Sequence, residues 1–455
     1  MQYAAHPLFD HRNHLPRLRM TTTTIMPAAV AATPARKRRK LHQNPLAALS
    51  SLHALLLLGL AWLECRAFVI PRPTSSPSLV LSLTLPRQHR PRQLRMIMDE
   101  PKVGEEPSVM SQALSKQKTL SRYVEVETWK HRELTDLQPV MRGIESACRG
   151  IATLVRRAQC DEIAGLHGND GDMNVQGEVQ KVMDVLANNI LAASMCAPGK
   201  MDYVASEEEE EPTYCSAVLQ NAAFQGEYAG VFDPLDGSSN IEAGLPVGTI
   251  FGIYRRPQLN LSPERERDPL EAIMQPGSKL LASGYCLYGG QTILVLTLGQ
   301  GVHGFTLNKP GGDFILTQPN MRIPARGQLY AINEGSSHLW EPKVTEYVRR
   351  LKLGEGEGNV PHRTAYVGAM VADVHRVLVE GGVYAYPGTV DAPNGKIRLL
   401  YEANPMSMLV EQAGGLSTTG RQRILDLKPT GIHQRVPIFI GSKEDIKDLQ
   451  ALLKD

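Results

Sequence analysis

Apolar positions recur at three- and four-residue steps through Leu137, Val140, Met141, Ile144, Cys148, Ile151 and Val155. That spacing gathers them on one face of a helix of about five turns. Val179, Val182, Met183, Leu186 and Ile190 suggest a second helix. Farther along, the pattern changes. Thr249–Tyr254 (TIFGIY), Thr292–Leu298 (TILVLTL) and Gly304–Leu307 are short runs of β-branched and apolar residues, and the Gly-Gln-Gly between the last two has turn chemistry. After Lys343 helix-like and strand-like stretches mix again. Paired helices, then antiparallel strands, then a mixture predict layered α and β elements. A composition shift over Pro319–Gly327 marks a candidate boundary.

Composition changes this picture at one end only. The 455 residues are 42% hydrophobic and 21% charged, an ordinary globular balance. The net charge of +2 averages two unlike parts. Residues 1–98 hold 14 Lys/Arg against two acids, Asp10 and Glu64, so of the 49 basic and 47 acidic residues the rest holds 35 and 45. An acidic body lacks the clustered cations that phosphate backbones require, which excludes a nucleic-acid binder. The leader itself has a basic block, Arg36–Lys40, and a ten-residue apolar run, Ala54–Leu63, too short to span a bilayer. From Phe68 to Met98 it is rich in Arg, Ser, Thr and Pro and has no acid. A signal-peptide-like segment (1–67) followed by a transit-peptide-like segment (68–98) resembles the bipartite leaders of algal plastid proteins, and implies a plastid (chloroplast) stroma location with no membrane in the mature form. Outside the leader, the five cysteines Cys148, Cys160, Cys196, Cys215 and Cys286 show no metal-type spacing and are read as buried thiols.

The chemistry concentrates in Val231–Asn240, VFDPLDGSSN. Asp233 and Asp236 are three apart, Pro234 stiffens the backbone between them, and Gly237 permits a tight turn. Two carboxylates forced together repel, and a divalent cation relieves the repulsion. Ser238 and Ser239 stand where a helix would open, and the backbone N–H groups of such a start suit a phosphate. Other acids fit the same picture. Ser206–Glu211 (SEEEEE) follows the apolar Tyr203–Ala205, as a strand end presenting Glu207 and Glu208 would. Glu402 closes the run Ile397–Tyr401, while Glu178 and Asp184 lie at and within the second helix.

These residues carry a resemblance. The sequence resembles the fructose-1,6-bisphosphatases from roughly Ser121 to Leu453, through GEVQKVMDVLANN (177–189), SEE (206–208), FDPLDGSSNI (232–241), GTIFGIY (248–254), LASGYCLYGG (281–290), NEG (333–335), YVGAMVADVHR (366–376), LLYEANPM (399–406) and EQAGG (411–415). The resemblance implies a layered α/β/α sugar-phosphatase fold, with an N-terminal metal-binding domain (99–320) and a C-terminal sugar-phosphate-binding domain (321–455) sharing mixed sheets in a homotetramer. It implies Mg²⁺-dependent release of the 1-phosphate of fructose 1,6-bisphosphate, in plastid carbon fixation or gluconeogenesis. Two or three Mg²⁺ per subunit would be held by Glu178, Glu207, Asp233, Asp236, Glu402 and the carbonyl of Leu235. Asp184 and Glu208, with Glu207, would be the catalytic carboxylates. The scissile phosphate would rest on Asp236, Gly237, Ser238 and Ser239, and the sugar and far phosphate on Asn333, Tyr366, Tyr386 and Lys396. Oxygen-only ligands agree with Mg²⁺ rather than zinc. His375 and His433 could suggest histidine ligands, but His375, in VADVHR, is read as a packing and hydrogen-bonding residue.

Three departures matter. The family usually places Arg where Ala365 stands, with Arg363 two residues earlier, and Tyr where Ser336 stands. These keep a sedoheptulose-1,7-bisphosphatase or dual-specificity reading open. AMP-inhibited members have a Lys-Tyr pair where this chain has Glu227-Tyr228. A non-catalytic sugar-phosphate sensor is the rival from another class, and retention of all the clustered acids argues against it.

Overall fold

The structure is a computed structural model that describes residues 118–158, 160, 182–257, 269–308, 312–356, 358 and 360–454. The leader, residues 1–98, and Glu178 lie outside the described residues. Helices α1 (Leu120–Lys130), α2 (Leu137–Arg157) and α3 (Val182–Cys196) come first. Eight strands follow: β1 (Met201–Ser206), β2 (Thr213–Tyr214), β3 (Tyr228–Asp236), β4 (Val247–Arg255), β5 (Leu280–Tyr288), β6 (Thr292–Thr297), β7 (Val302–Asn308) and β8 (Asp313–Gln318). They form one sheet in the order 2-1-3-4-5-6-7-8, antiparallel except for the β1–β3 pair. The remainder runs β9 (Leu329–Ala331), α4 (Pro342–Leu353), β10 (Arg363–Thr364), α5 (Met370–Glu380), β11 (Val383–Tyr386), β12 (Ile397–Arg398), α6 (Asn404–Gln412), β13 (Leu416–Thr418), β14 (Arg435–Val436), β15 (Ile438–Gly441) and α7 (Lys443–Lys454). Its sheet has the order 10-9-11-15-13.

Period-two alternation assigns each strand residue to a core. On β4, Phe251 faces α1–α3, while its neighbour Ile250 faces the other way, onto α5 and α6. On β15, Ile438 and Ile440 join Ile250 in that central core, whereas Phe439 packs with Val344, Val348 and Ile446 from α4 and α7. The described residues therefore stack as helix, sheet, helix, sheet, helix. Both faces of both sheets are covered, so the expected layered α/β class is realised with mixed sheets.

The α2 stripe is as the spacing predicts: Leu137, Val140, Met141, Ile144, Cys148 and Ile151 are buried and Val155 packs against them. The α3 stripe holds only in part: Met183 is buried, Leu186 is half-buried and Ile190 packs against the core, while Val179 lies outside the described residues. Val182 is exposed, and the buried face is Met183, Ala187, Leu191 and Met195 together with Asp184 and Asn188. Asn188 interrupts the apolar pattern because its amide donates to the Glu209 carboxylate (2.9 Å) beyond β1, and Asp184 is buried one turn earlier.

The cysteine reading needs correcting. Cys196, the last residue of α3, is bonded to Cys215 in a short helix, Cys215–Val218, with Cα atoms 5.2 Å apart. Cys148 and Cys286 are buried thiols, and Cys160 is exposed. The disulfide closes a loop of 19 residues that contains β1 and the acids after it. Replacing both half-cystines by serine is expected to cost about 3 kcal/mol, from the freedom returned to the unfolded chain. That corresponds to a fall of roughly 4 °C in melting temperature, readable by calorimetry.

Candidate active site

β3 carries Asp233 and Asp236, which in a regular strand would face opposite sides. The β3–β4 register prevents this: Asp233 pairs with Ile250 but Asp236 pairs with Gly248, so the bulge at Pro234–Leu235 adds one residue. Both carboxylates then reach one place. Leu235 N–H donates to Asp233 Oδ1 (2.9 Å), and Val371 N–H on α5 donates to Asp236 Oδ2 (2.8 Å). Thr249 Oγ1 fixes the bulge from the neighbouring strand by donating to the Pro234 carbonyl (2.8 Å). Gly237 follows with φ +75°, and a Cβ there would stand 2.5 Å from Ala369 Cβ, so only glycine fits. Ser238–Asn240 is a single 3-10 turn rather than the longer helix start expected from the sequence.

Glu402 arrives from a different part of the chain. Ile397–Arg398 is a strand, but Leu399–Ala403 is a π-helical turn, a form frequent at functional sites, and Glu402 projects from it. One carboxylate oxygen from each of Asp233, Asp236 and Glu402 lies within 4.8 Å of the others, and all three residues are buried. Glu207 directly follows β1, hydrogen-bonds with Asp233, and meets the Arg398 guanidinium at 3.2 Å. The Arg398 backbone N–H donates to Glu402, so one residue steadies both outer acids.

Burial dominates the electrostatics. It pushes Asp236 up to about 7, against the lowering effect of the Val371 and Met370 N–H groups. Burial, reinforced by the charges of Glu207, Asp236 and Glu402, raises Asp233 well above the carboxylate range. Glu402 is raised by burial and Glu207, and Arg398 opposes the shift. Hard oxygen donors whose crowding Arg398 offsets only in part fit a divalent cation.

The remaining expected residues lie on several elements. Asp184 is buried on the first turn of α3, which packs on β1 and β3, and Glu208 is half-buried next to Glu207. Leu235 sits between the two aspartates, Ser238 is half-buried, and Ser239 is exposed. Asn333, Tyr386 and Lys396 line one cavity of about 280 Å³, together with Ser336 and Asp391. Tyr366 lies outside that lining, at an exposed position just before the Val367–Gly368 turn that Asp373 holds.

Sequence reasoning missed three supports. Asp373 accepts from the N–H groups of Val367 (2.8 Å) and Gly368 (3.0 Å), shaping the turn after Tyr366. Arg398 was visible only as the one charge in IRLLY, and Thr249 only as the first residue of a strand. His375 is held by the Tyr285 hydroxyl (2.7 Å), and burial pushes it down to about 4.

Two adjoining family models, described as the N-terminal and C-terminal domains of fructose-1-6-bisphosphatase, match residues 118–319 and 323–454. A cytosolic fructose-1,6-bisphosphatase of Spinacia oleracea is 44% identical over 335 residues, covering 73% of this chain and 94% of that protein. The chain belongs to the fructose-1,6-bisphosphatase family. Cytosolic relatives from Solanum tuberosum (43% identical, 73% of this chain and 94% of that protein) and Oryza sativa subsp. indica (44%, with the same shares) agree. A solved Leishmania major fructose-1,6-bisphosphatase in holo form superposes with a TM-score of 0.67 at 35% identity, over 75% of this chain and all of that one. As a fructose-1,6-bisphosphatase family member the protein is a phosphatase, a phosphoric monoester hydrolase of carbohydrate metabolism, in a metal-dependent family whose substrate is a sugar bisphosphate.

One expectation is overturned by these relatives. The plastid location read from residues 1–98 is contradicted by their names, which are cytosolic and point to the cytosol. Arg363 and Ala365 differ in their surroundings. Arg363 is paired with Glu380 of α5, while Ala365 is buried in the central core.

Proposed function

We propose that this protein hydrolyses the 1-phosphate of fructose 1,6-bisphosphate in a Mg²⁺-dependent reaction of cytosolic sugar-phosphate metabolism. The observation that carries this reading is the convergence of Asp233, Asp236 and Glu402 within 4.8 Å, beside the Gly237 turn. Glu207, Asp233, Asp236, Glu402, the Leu235 carbonyl and Glu178 would hold two or three cations. Those cations supply charge neutralisation to the phosphoryl group and the leaving alkoxide. The chain's own groups do the rest. Asp236–Ser239 cradle the phosphate, and Asn333, Tyr366, Tyr386 and Lys396 orient the sugar and its far phosphate. Asp184 and Glu208 align the attacking water and take its proton, so that displacement is in line. By the same resemblance the assembly is a homotetramer.

A second reading is favoured by Ala365, whose apolar burial removes a charge-assisted phosphate contact, and by Ser336, which widens the sugar cavity: action on sedoheptulose 1,7-bisphosphate as well. Phosphate release from each sugar, after chelation and after Mg²⁺ is restored, tests both. Release from fructose 1,6-bisphosphate only with Mg²⁺ is expected, and metal-independent release would overturn the reading.

Weak AMP inhibition is also expected. Arg255 is 3.7 Å from the Glu227 carboxylate, donates to the Glu133 carbonyl (2.6 Å) and lies over the Tyr228 ring. Glu227 thus occupies the cation and adds a charge that repels phosphate. Full activity at micromolar AMP is the expected result, with Glu227→Lys gaining inhibition.

A further inference from the structure

Glu207 and Glu402 reach the same cluster on segments nearly two hundred residues apart, Glu207 from the turn after β1 and Glu402 from the π-helical turn that leads into α6. The β1–β3 ladder ends at the Ser206–Phe232 pair. Beyond it Glu207 N–H donates to the Phe232 carbonyl (3.2 Å), and Asn188 holds the Glu209 side chain (2.9 Å). The π-helical turn bearing Glu402 packs Leu400 and Tyr401 against Ala205, Val231 and Tyr254 of the large sheet, which seats the turn but makes no hydrogen-bonded ladder to the Glu207 arm.

The His433 side chain spans the two segments. His433 places Nδ1 2.8 Å from the hydroxyl of Tyr401, which precedes Glu402, and Nε2 3.1 Å from the Glu209 carbonyl, two residues after Glu207. A carbonyl only accepts, so Nε2 carries the hydrogen, and in the neutral ring Nδ1 accepts from Tyr401. The chain of donation therefore runs one way, from Tyr401 through His433 to the acidic loop. The His433 and Tyr401 rings meet edge to face at 5.9 Å, and the Leu399 N–H donates to the Gln434 carbonyl (2.7 Å), so the histidine is anchored to the π turn it steadies. Arg398 ties the same two arms at the cluster, and His433 ties them one layer out.

We propose that His433 is a positioning residue that sets the separation of the Glu207 and Glu402 arms, and thereby the protein's affinity for divalent cations. The inference rests on the cation reading given above. Outer hydrogen-bond partners of metal ligands typically alter affinity by about 10- to 100-fold when removed.

The test uses the full chain and Mn²⁺ alone as probe, titrated by calorimetry after chelation, with steady-state kinetics alongside. His433→Ala is expected to weaken Mn²⁺ binding about tenfold and to raise the Mg²⁺ concentration for half-maximal activity by a similar factor. The sugar KM should stay within about twofold, because the sugar cavity does not include His433. His433→Gln, which restores a donor toward Glu209, should recover part of the affinity. Tyr401→Phe removes only a hydroxyl and should weaken Mn²⁺ about threefold, with no further loss when combined with His433→Ala. It also carries the test should His433→Ala fail to fold. Unchanged Mn²⁺ affinity in the folded variants, with wild type binding normally, would overturn the role of His433. Wild-type protein that binds no Mn²⁺ would instead remove the cation reading, and this inference with it.

Discussion

Asp236→Asn is expected to lower kcat by about a thousandfold while making the chelated protein more stable at pH 8. The two effects share a cause. Asp236 is buried with Asp233 and Glu402 within reach, and the Val371 and Met370 N–H groups that favour its charge do not outweigh its burial. Asparagine keeps an oxygen for Val371, so the local backbone should hold. It removes the anion that the cation site and the phosphate turn both need. A carboxylate pushed from 3.8 to about 7 carries an ionisation cost of about 4 kcal/mol once the pH exceeds both values. Relieving much of that should raise the melting temperature of the chelated protein by several degrees. Loss of activity together with a lower melting temperature would show a folding defect instead.

The second large effect is a pH dependence that Mg²⁺ reverses. Because the Asp236 carboxyl is raised in the folded state, the folded protein holds a proton that the unfolded chain releases. Its contribution is fully present at low pH and is lost as pH climbs from about 4 through about 7. Asp233 and Glu402 are raised too and act in the same direction. His375 works against them below its ordinary range, because burial holds it neutral and the unfolded chain takes up the proton. The clean measurement is therefore the difference in melting temperature between wild type and Asp236→Asn in chelator. It should be small at pH 5 and grow through pH 7. Cation binding must displace the same protons, so Mg²⁺ affinity should rise up to about tenfold per pH unit for each proton released, and level off above the highest of these ionisations. An affinity flat from pH 6 to 8 would contradict the clustered geometry.

Much of the site is legible because its chemistry is local. Asp233 and Asp236 with the intervening proline, the glycine that follows, and Glu207 at a strand end are all contained in short segments. The longest amphipathic helix and the alternating strands are legible for the same reason, since a period is a local property. The α3 stripe was misread where a polar pair, Asp184 and Asn188, occupies the buried face. The Cys196–Cys215 bond was misread because nothing in the spacing of two cysteines tells whether a helix end and a loop will meet.

The sequence by itself determined the residue types: oxygen-only ligands, a glycine turn, an acidic body with no nucleic-acid footprint. Tertiary structure alone decided their convergence. A one-residue bulge turned two aspartates to the same side of β3, and a π turn delivered Glu402 to them from 166 residues farther on. Packing also decided that Arg363 serves Glu380 and that Arg398 and His433 brace the acids. Such pairings depend on contacts between distant segments, whose free energy is settled by the whole core rather than by any local run of residues.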